Sequence, residues 1–135
     1  MTHKVLRPEL RHWRLWLALG IVMLVVIATV CLLPSQNLPD LPTSDKFKHV
    51  VAFGALAFWF GTIVVRRDVP WVALGALAFG GFIEIAQWAM DVGRSAEWLD
   101  FFADGIGVVL GCLLALSPLY NWVRGFAVRR GWTSP

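Results

Sequence analysis

Long apolar runs alternate with short polar segments along the chain. Residues 15–33 contain no charged side chain, and this run of nineteen residues is close to the roughly 20 that an α-helix needs to cross a membrane. Three further runs of similar length occupy residues 45–65, 70–90 and 100–119. The pattern therefore predicts an all-α integral membrane protein, with a four-helix transmembrane bundle in a single domain at residues 15–120.

Residues that stop or start helices separate these runs. Pro34, Pro39 and Pro42 prevent a helix from continuing through the first loop, because proline lacks the amide proton that a helix interior needs. Ser44 is suited to cap the second helix. Pro70 is suited to open the third, since proline fits the first helical turn. The four runs are therefore expected to be separate helices joined by short loops.

The charged residues between the helices predict how the chain is oriented. A basic leader, residues 1–14, precedes the first helix, and a basic tail, residues 121–135, follows the last. The leader, the tail and the second loop carry nine of the twelve Lys and Arg residues. The positive-inside rule therefore predicts cytoplasmic termini, with the first and third loops outside. We interpret the first helix as a retained anchor, because its apolar run is too long for a usual signal peptide and no A-x-A site follows.

Composition agrees with a membrane protein and excludes other classes. The chain is 58% hydrophobic and 16% charged, and its mean hydropathy is +0.65, values unlike those of soluble domains. The net charge of +3 does not indicate nucleic-acid binding, because the basic residues form short clusters between apolar runs. Cys31 and Cys112 both lie inside apolar runs, so we expect two small buried side chains rather than a disulfide.

Polar side chains nevertheless occur within the predicted helices, where a charged group costs about 2.5–3.5 kcal/mol near the helix centre. In the predicted orientation they all fall in the outer half. They form pairs at i, i+3 or i, i+4 spacing, so each pair lies on one helix face: Asp45 with His49, Glu84 with Gln87, and Asp100 with Asp104. Three such faces turned inward predict a polar pocket that opens outward, with Arg94 of the third loop as its lid or anion clamp.

The order of these residues resembles the VanZ-like family of small integral membrane proteins. The resemblance covers residues 44–115 and rests on four pieces: Asp45-Lys46-x-x-His49-x-x-x-Phe53, Glu84-x-x-Gln87, Arg94-Ser95 before Asp100, and Asp104-x-x-Gly107-x-x-x-Gly111. Asp104 stands where the family commonly has Asn, and the spacing from Gln87 to Arg94 is somewhat long. The resemblance implies a role in the cell envelope, since the family is associated with resistance to the glycopeptide teicoplanin. It does not imply a reaction.

We predict that the pocket binds or modifies an amphiphilic envelope component, either a membrane lipid or a lipid-linked intermediate. Glu84 and His49 are the candidate acid and base, and Lys46 and Arg94 are expected to hold an anionic headgroup. The other candidate substrate-binding residues are Asp45, Gln87, Asp100 and Asp104. No cofactor and no metal ligand are assigned.

Two alternatives remain open. In the first, the chain is a non-catalytic packing or partner protein whose polar cluster is structural. In the second, it is a divalent-metal-dependent membrane enzyme that uses His49, Glu84, Asp100 and Asp104. Their ligand types suit a divalent ion, although the set contains one histidine and the chain lacks an HExxH motif. Gly107 and Gly111 predict a close helix approach, which we also interpret as a homo-oligomer contact.

Overall fold

The computed structural model of the chain describes residues 5–33, 44–90 and 97–132. Within these ranges it is helical, which confirms the all-α part of the predicted fold class. Five α-helices occur there: α1 (Trp13–Leu32), α2 (Asp45–Ile63), α3 (Val69–Met90), α4 (Trp98–Leu116) and α5 (Trp122–Arg129). Short 3₁₀ helices occupy Arg66–Asp68 and Pro118–Asn121. A single β-bridge joins Leu6 to Val64 in the described part of the chain.

In the described part of the chain, three helical segments are long and apolar enough to cross a membrane: Trp13–Leu32, Arg66–Met90 and Trp98–Leu116. They indicate a membrane protein. The second helix, α2, is 19 residues long but is not among these three. Its first turns contain Lys46, Lys48 and His49, which lower its apolar character.

Local chemistry explains where the helices begin and end. Ser44 caps α2 as expected: its hydroxyl accepts a hydrogen bond of 3.2 Å from the Phe47 amide, which satisfies a free helix N–H. The fourth helix ends at Leu116 rather than at the predicted residue 119. Ser117 is extended, with φ −75° and ψ 178°, as expected for the residue before a proline. The same helix begins at Trp98, two residues before the predicted start.

The most extensive helix pair is α2 with α4. The two helices run parallel, since the start of α2 at His49 lies beside Asp104 and its far end at Gly61 lies beside Ala115. A Cβ on Gly107 would collide with the carbonyl oxygen of Val50. The close approach expected from Gly107 is therefore made within the chain.

Gly111 occupies the same interface. A Cβ there would collide with the carbonyl oxygen of Gly54. Both Gly107 and Gly111 are buried, so this face of α4 is covered by α2 and is not available for the homo-oligomer contact inferred from sequence.

The leader and the tail pack onto the opposite end of the helices, where α2 ends and α3 begins. The Arg7 amide donates to the Ile63 carbonyl at 3.0 Å, and Leu10 is buried. In the tail, α5 buries Val123 and Ala127. Residues interpreted from sequence only as basic flanking segments therefore close this end of the structure.

Candidate functional site

Four of the polar residues predicted from sequence meet at the end of the structure where α2 and α4 begin. His49 and Asp104 are buried with 4% and 0% of their surface exposed. Asp100 is buried beside them at 5%, and Lys46 is partly exposed. Glu97, which the sequence analysis missed, completes the group. We call these residues the His49 cluster: Lys46, His49, Glu97, Asp100 and Asp104.

The centre of the His49 cluster is a hydrogen bond between α2 and α4. The Nδ1 atom of His49 lies 2.7 Å from Oδ1 of Asp104. An ionised carboxylate can only accept hydrogen bonds, so Nδ1 carries the proton when Asp104 is ionised. The imidazole ring is stacked nearly parallel to Phe53, with ring centroids 6.4 Å apart. These two contacts fix the ring and point its Nε2 atom toward Asp100, whose Oδ2 lies 3.9 Å away.

Space for the Asp104 side chain comes from a glycine on α3. A Cβ on Gly80 would lie 2.8 Å from Oδ2 of Asp104 and 3.2 Å from a ring carbon of Phe53. The Oδ2 atom is buried and has no hydrogen-bond partner among the described residues. Gly80 therefore allows α3 to cover the carboxylate closely.

Lys46 does not present a free positive charge. Its ammonium donates to Oδ1 of Asp100 and, at 2.5 Å, to Oε2 of Glu97. Two carboxylates thus surround one ammonium group. The sequence pattern predicts that Lys46 holds an anionic headgroup, but in the structure its charge is already balanced by Asp100 and Glu97.

Glu84 connects the end of α3 to the start of α4. Its Oε2 atom accepts a hydrogen bond of 2.9 Å from the amide of Glu97, the residue that precedes α4. A negative charge at this position is favourable, because the helix dipole is positive at its N-terminus. The second oxygen, Oε1, is buried and has no hydrogen-bond partner in the described ranges. Within the described residues, therefore, one oxygen of Glu84 accepts a hydrogen bond and the other has no partner.

Glu84 also lines a groove between α3 and α4 with a volume of about 410 Å³. Most of its lining is apolar, and large aromatic side chains form its walls. We call it the aromatic groove; its lining residues are Gly81, Glu84, Ile85, Trp88, Trp98 and Phe101. Among the described lining residues its chemistry is therefore amphiphilic: one carboxylate lies in an otherwise apolar groove.

Two other predicted site residues lie apart from the centre of the cluster. The side-chain amide of Gln87 donates to the Cys31 carbonyl at 2.9 Å, so Gln87 ties α3 to α1 rather than joining His49. Asp45 is half-exposed and lies 3.6 Å from the ammonium of Lys48. It still has a carboxylate oxygen close to both His49 and Asp100. Arg94 lies outside the described residues.

The sequence contained a signal for Glu97 that was not used. Glu97, Asp100 and Asp104 follow one another at spacings of three and four residues, so a helix that starts directly after Glu97 brings Asp100 and Asp104 to one face with Glu97 at its N-terminus. The predicted start of the fourth helix at residue 100 hid the first member of this series. An earlier helix start would have added Glu97 to the site.

The chain was compared with known protein families, proteins and structures. No protein-family model, curated protein or solved structure matches the chain. The function is therefore inferred from the chemistry of the His49 cluster and of the aromatic groove.

Proposed function

We propose that the chain is a VanZ-like, multi-pass membrane protein that binds or modifies an amphiphilic cell-envelope component at the outer membrane–water boundary. In this proposal α1 to α4 form a four-helix transmembrane bundle in a bacterial inner membrane, and both termini are cytoplasmic. The distribution of Lys and Arg supports this orientation. The motif order in residues 44–115 supports the VanZ-like assignment, and with it an envelope role of the kind associated with teicoplanin resistance.

Exposed apolar side chains support the membrane part of the proposal. Val22, Val25 and Val26 on α1 are each more than half exposed, as are Val109 and Leu113 on α4. Apolar patches of this extent are rare on soluble monomers. A lipid environment removes the cost of exposing these side chains.

The aromatic groove is the observation that carries the binding function. Trp88 and Trp98 are 76% and 82% exposed, and tryptophan is enriched at membrane–water interfaces, where its ring is partly apolar and its N–H is polar. An amphiphile can lay an acyl or prenyl chain along these rings and along Ile85. Its polar headgroup then lies beside the carboxylate of Glu84, which lines the same groove.

The polar atoms near the groove favour a particular kind of headgroup. Glu84, the charged residue among the described lining of the groove, carries acceptor oxygens, whereas the ammonium of Lys46 is already engaged. A hydrogen-bond donor such as a hydroxyl or an amine therefore complements the described part of the site better than an anion does. Glu84 is the residue best placed to act on such a group as a base.

The proposal can be tested by native mass spectrometry of the protein extracted gently from its own membrane. Retained lipid or lipid-linked adducts are expected on the wild type and reduced on Glu84→Gln and Trp88→Ala. Trp71→Ala is the matched control, because Trp71 lies on the same helix near its other end and is 70% exposed. The same adducts at the same occupancy on all four proteins would contradict the proposal.

A structural role for the polar residues is the second candidate, and the bond from Gln87 to the Cys31 carbonyl favours it. If the polar residues act only to hold helices together, Glu84→Gln lowers the thermal stability of the protein while its adduct pattern stays unchanged. In the binding proposal, the adducts disappear while the protein remains monodisperse and folded. The two measurements on the same variant therefore separate the candidates.

A further inference from the structure

We propose that His49, Asp100 and Asp45 form a binding site for a divalent transition-metal ion, with Asp104 as the residue that orients the histidine. One ligand atom from each of the three residues can be chosen so that all three atoms lie within 4.8 Å of one another. Imidazole nitrogens and carboxylate oxygens are the usual ligands of such ions. The site is separate from the aromatic groove, and its test does not depend on the proposed lipid function.

The position of the His49 ring is the first argument. The residue is 96% buried, and its Nδ1 atom is held by Asp104. No hydrogen bond to its Nε2 atom is found in the described part of the chain, and the 3.9 Å to Oδ2 of Asp100 is too long for one. A buried histidine whose second ring nitrogen makes no such bond among the described residues and points at a carboxylate is a candidate metal ligand.

The bond to Asp104 is what a metal-binding histidine requires. Histidines that bind metals commonly donate their other N–H to a carboxylate, which fixes the tautomer and makes the ligating nitrogen more basic. Here Oδ1 of Asp104 lies 2.7 Å from Nδ1. Asp104 is fully buried and lies on the side of the ring away from Nε2, so it positions His49 and is not itself a ligand.

The balance of charge is the second argument. Asp45, Asp100 and Asp104 bring three carboxylates close to His49. The ammonium of Lys46 contacts Oδ1 of Asp100 and Oε2 of Glu97, and the ammonium of Lys48 lies 3.6 Å from Asp45, so the two lysines offset part of the negative charge. The other oxygen of Asp100, Oδ2, is the one nearest to His49. Lys46 therefore leaves an acceptor on the side of Asp100 where the ion would bind, and a cation there reduces the repulsion among the carboxylates.

The ligand set indicates which ions fit. One imidazole with two carboxylates suits Zn²⁺ or Mn²⁺ better than Mg²⁺ or Ca²⁺, which prefer oxygen ligands alone. Three protein ligands leave coordination positions for water or for a ligand group, as in catalytic rather than structural sites. The side chain of Asp45 is 46% exposed, which gives the ion a path from solvent.

The direct test is titration of the chelator-treated, detergent-purified full chain with Zn²⁺, followed by isothermal calorimetry. One ion per chain is expected for the wild type. At least 100-fold weaker binding is expected for His49→Gln, and 10- to 100-fold weaker binding for Asp104→Asn, the range typical of residues that orient a ligand. His12→Gln is the matched control, because His12 precedes α1 at the other end of the structure. No stoichiometric binding by the wild type, or equal loss in His12→Gln and His49→Gln, overturns the proposal.

A second measurement does not require removal of His49. Of the three histidines in the chain, His3 and His12 can be replaced together by Gln, so that His49 is the only imidazole left. Electron paramagnetic resonance of Mn²⁺ bound to this variant is expected to show coupling to one imidazole nitrogen. Bound Mn²⁺ without nitrogen coupling overturns the assignment of His49 as a ligand, even if His49→Gln does not fold.

Discussion

Gly107 on α4 lies directly against the carbonyl oxygen of Val50 on α2, too close for any side chain to fit between the two helices. Gly107 is one turn beyond Asp104, and Val50 is the residue after His49. The glycine therefore sets the distance between the helices at the point where the buried hydrogen bond crosses. Helix spacing and the geometry of the His49 cluster are determined by the same contact.

We expect Gly107→Ala to destabilise the folded protein by about 1–3 kcal/mol, the usual cost of overpacking, because α2 and α4 must separate to admit the methyl group. Thermal unfolding in detergent measures the effect. Gly75→Ala is the control, since Gly75 lies within α3 and a Cβ there meets nothing within 4 Å. This control should be neutral or stabilising, because alanine is the better helix former. Equal destabilisation by both substitutions would contradict the packing argument.

The bond between His49 and Asp104 should appear as an energetic coupling. In a double-mutant cycle with His49→Ala and Asp104→Ala, we expect a coupling of about 1.5–3 kcal/mol, as for other hydrogen bonds to charged groups. The control cycle pairs His49→Ala with Asp68→Ala, because Asp68 precedes α3 at the opposite end of the structure. Distant sites should show additive effects. A coupling no larger than that of the control cycle would mean that the bond does not stabilise the fold.

Arg7 should contribute more to stability than the exposed arginines do. Its guanidinium is buried and donates to the carbonyl oxygens of Thr62 and Tyr120 at 3.2 and 2.7 Å. We expect Arg7→Ala to cost roughly 2–3 kcal/mol, because the buried Thr62 carbonyl and the partly buried Tyr120 carbonyl both lose a charged donor. The exposed Arg129 is the control, and Arg129→Ala should be within about 0.5 kcal/mol of the wild type. Unfolding and limited proteolysis of the leader both measure the difference, and equal effects of the two substitutions would contradict it.

The contact between Arg7 and Glu9 should make stability depend on pH. Partial burial raises the pKa of Glu9. A hydrogen bond to its own backbone and the guanidinium of Arg7 lower the pKa, and their combined effect is larger, so the net pKa is below its ordinary value of 4.5. A carboxyl group with a lowered pKa stabilises the folded state above its unfolded pKa, and this contribution is lost as the pH falls through the folded pKa.

We therefore expect the stability advantage of the wild type over Glu9→Gln to be constant at neutral pH and to shrink below pH 4.5. Unfolding temperatures of both proteins, measured between pH 7 and pH 3, report the difference. An advantage that persists unchanged to the lowest pH would show that the charge of Glu9 plays no part.

The sequence predicted the features that depend on residues close together in the chain. The members of each pair, Asp45/His49 and Asp100/Asp104, share a helix face because of their spacing. Both pairs lie at the same end of the structure because successive helices reverse direction at each loop. The all-α fold class is predictable for the same reason, since it depends on runs of apolar residues. The cap by Ser44 is also a local property.

The contacts between helices were not predictable in the same way. Spacing within a helix does not say which helix a residue faces, so Gln87 was expected in the pocket, yet it bonds to Cys31 on α1. Likewise, nothing local indicates that Lys46 meets Asp100 and Glu97, because this depends on the pairing of α2 with α4. From sequence, Arg7 is predicted only to be one of the basic residues that orient the chain in the membrane. Its burial depends on the packing of the leader against Thr62 and Tyr120.

The partners of Arg7 also bear on the order in which the protein is completed. Thr62 and Tyr120 follow Arg7 by 55 and 113 residues, so the ribosome makes the guanidinium long before it makes the second carbonyl. Until the Tyr120 carbonyl has been made, Arg7 lacks one of its two carbonyl acceptors. The leader should therefore remain accessible to water, chaperones and proteases. The leader can pack completely only after α4 and the segment that follows it have been synthesised. The moment during translation at which the leader becomes protected from proteolysis would therefore show when this packing occurs.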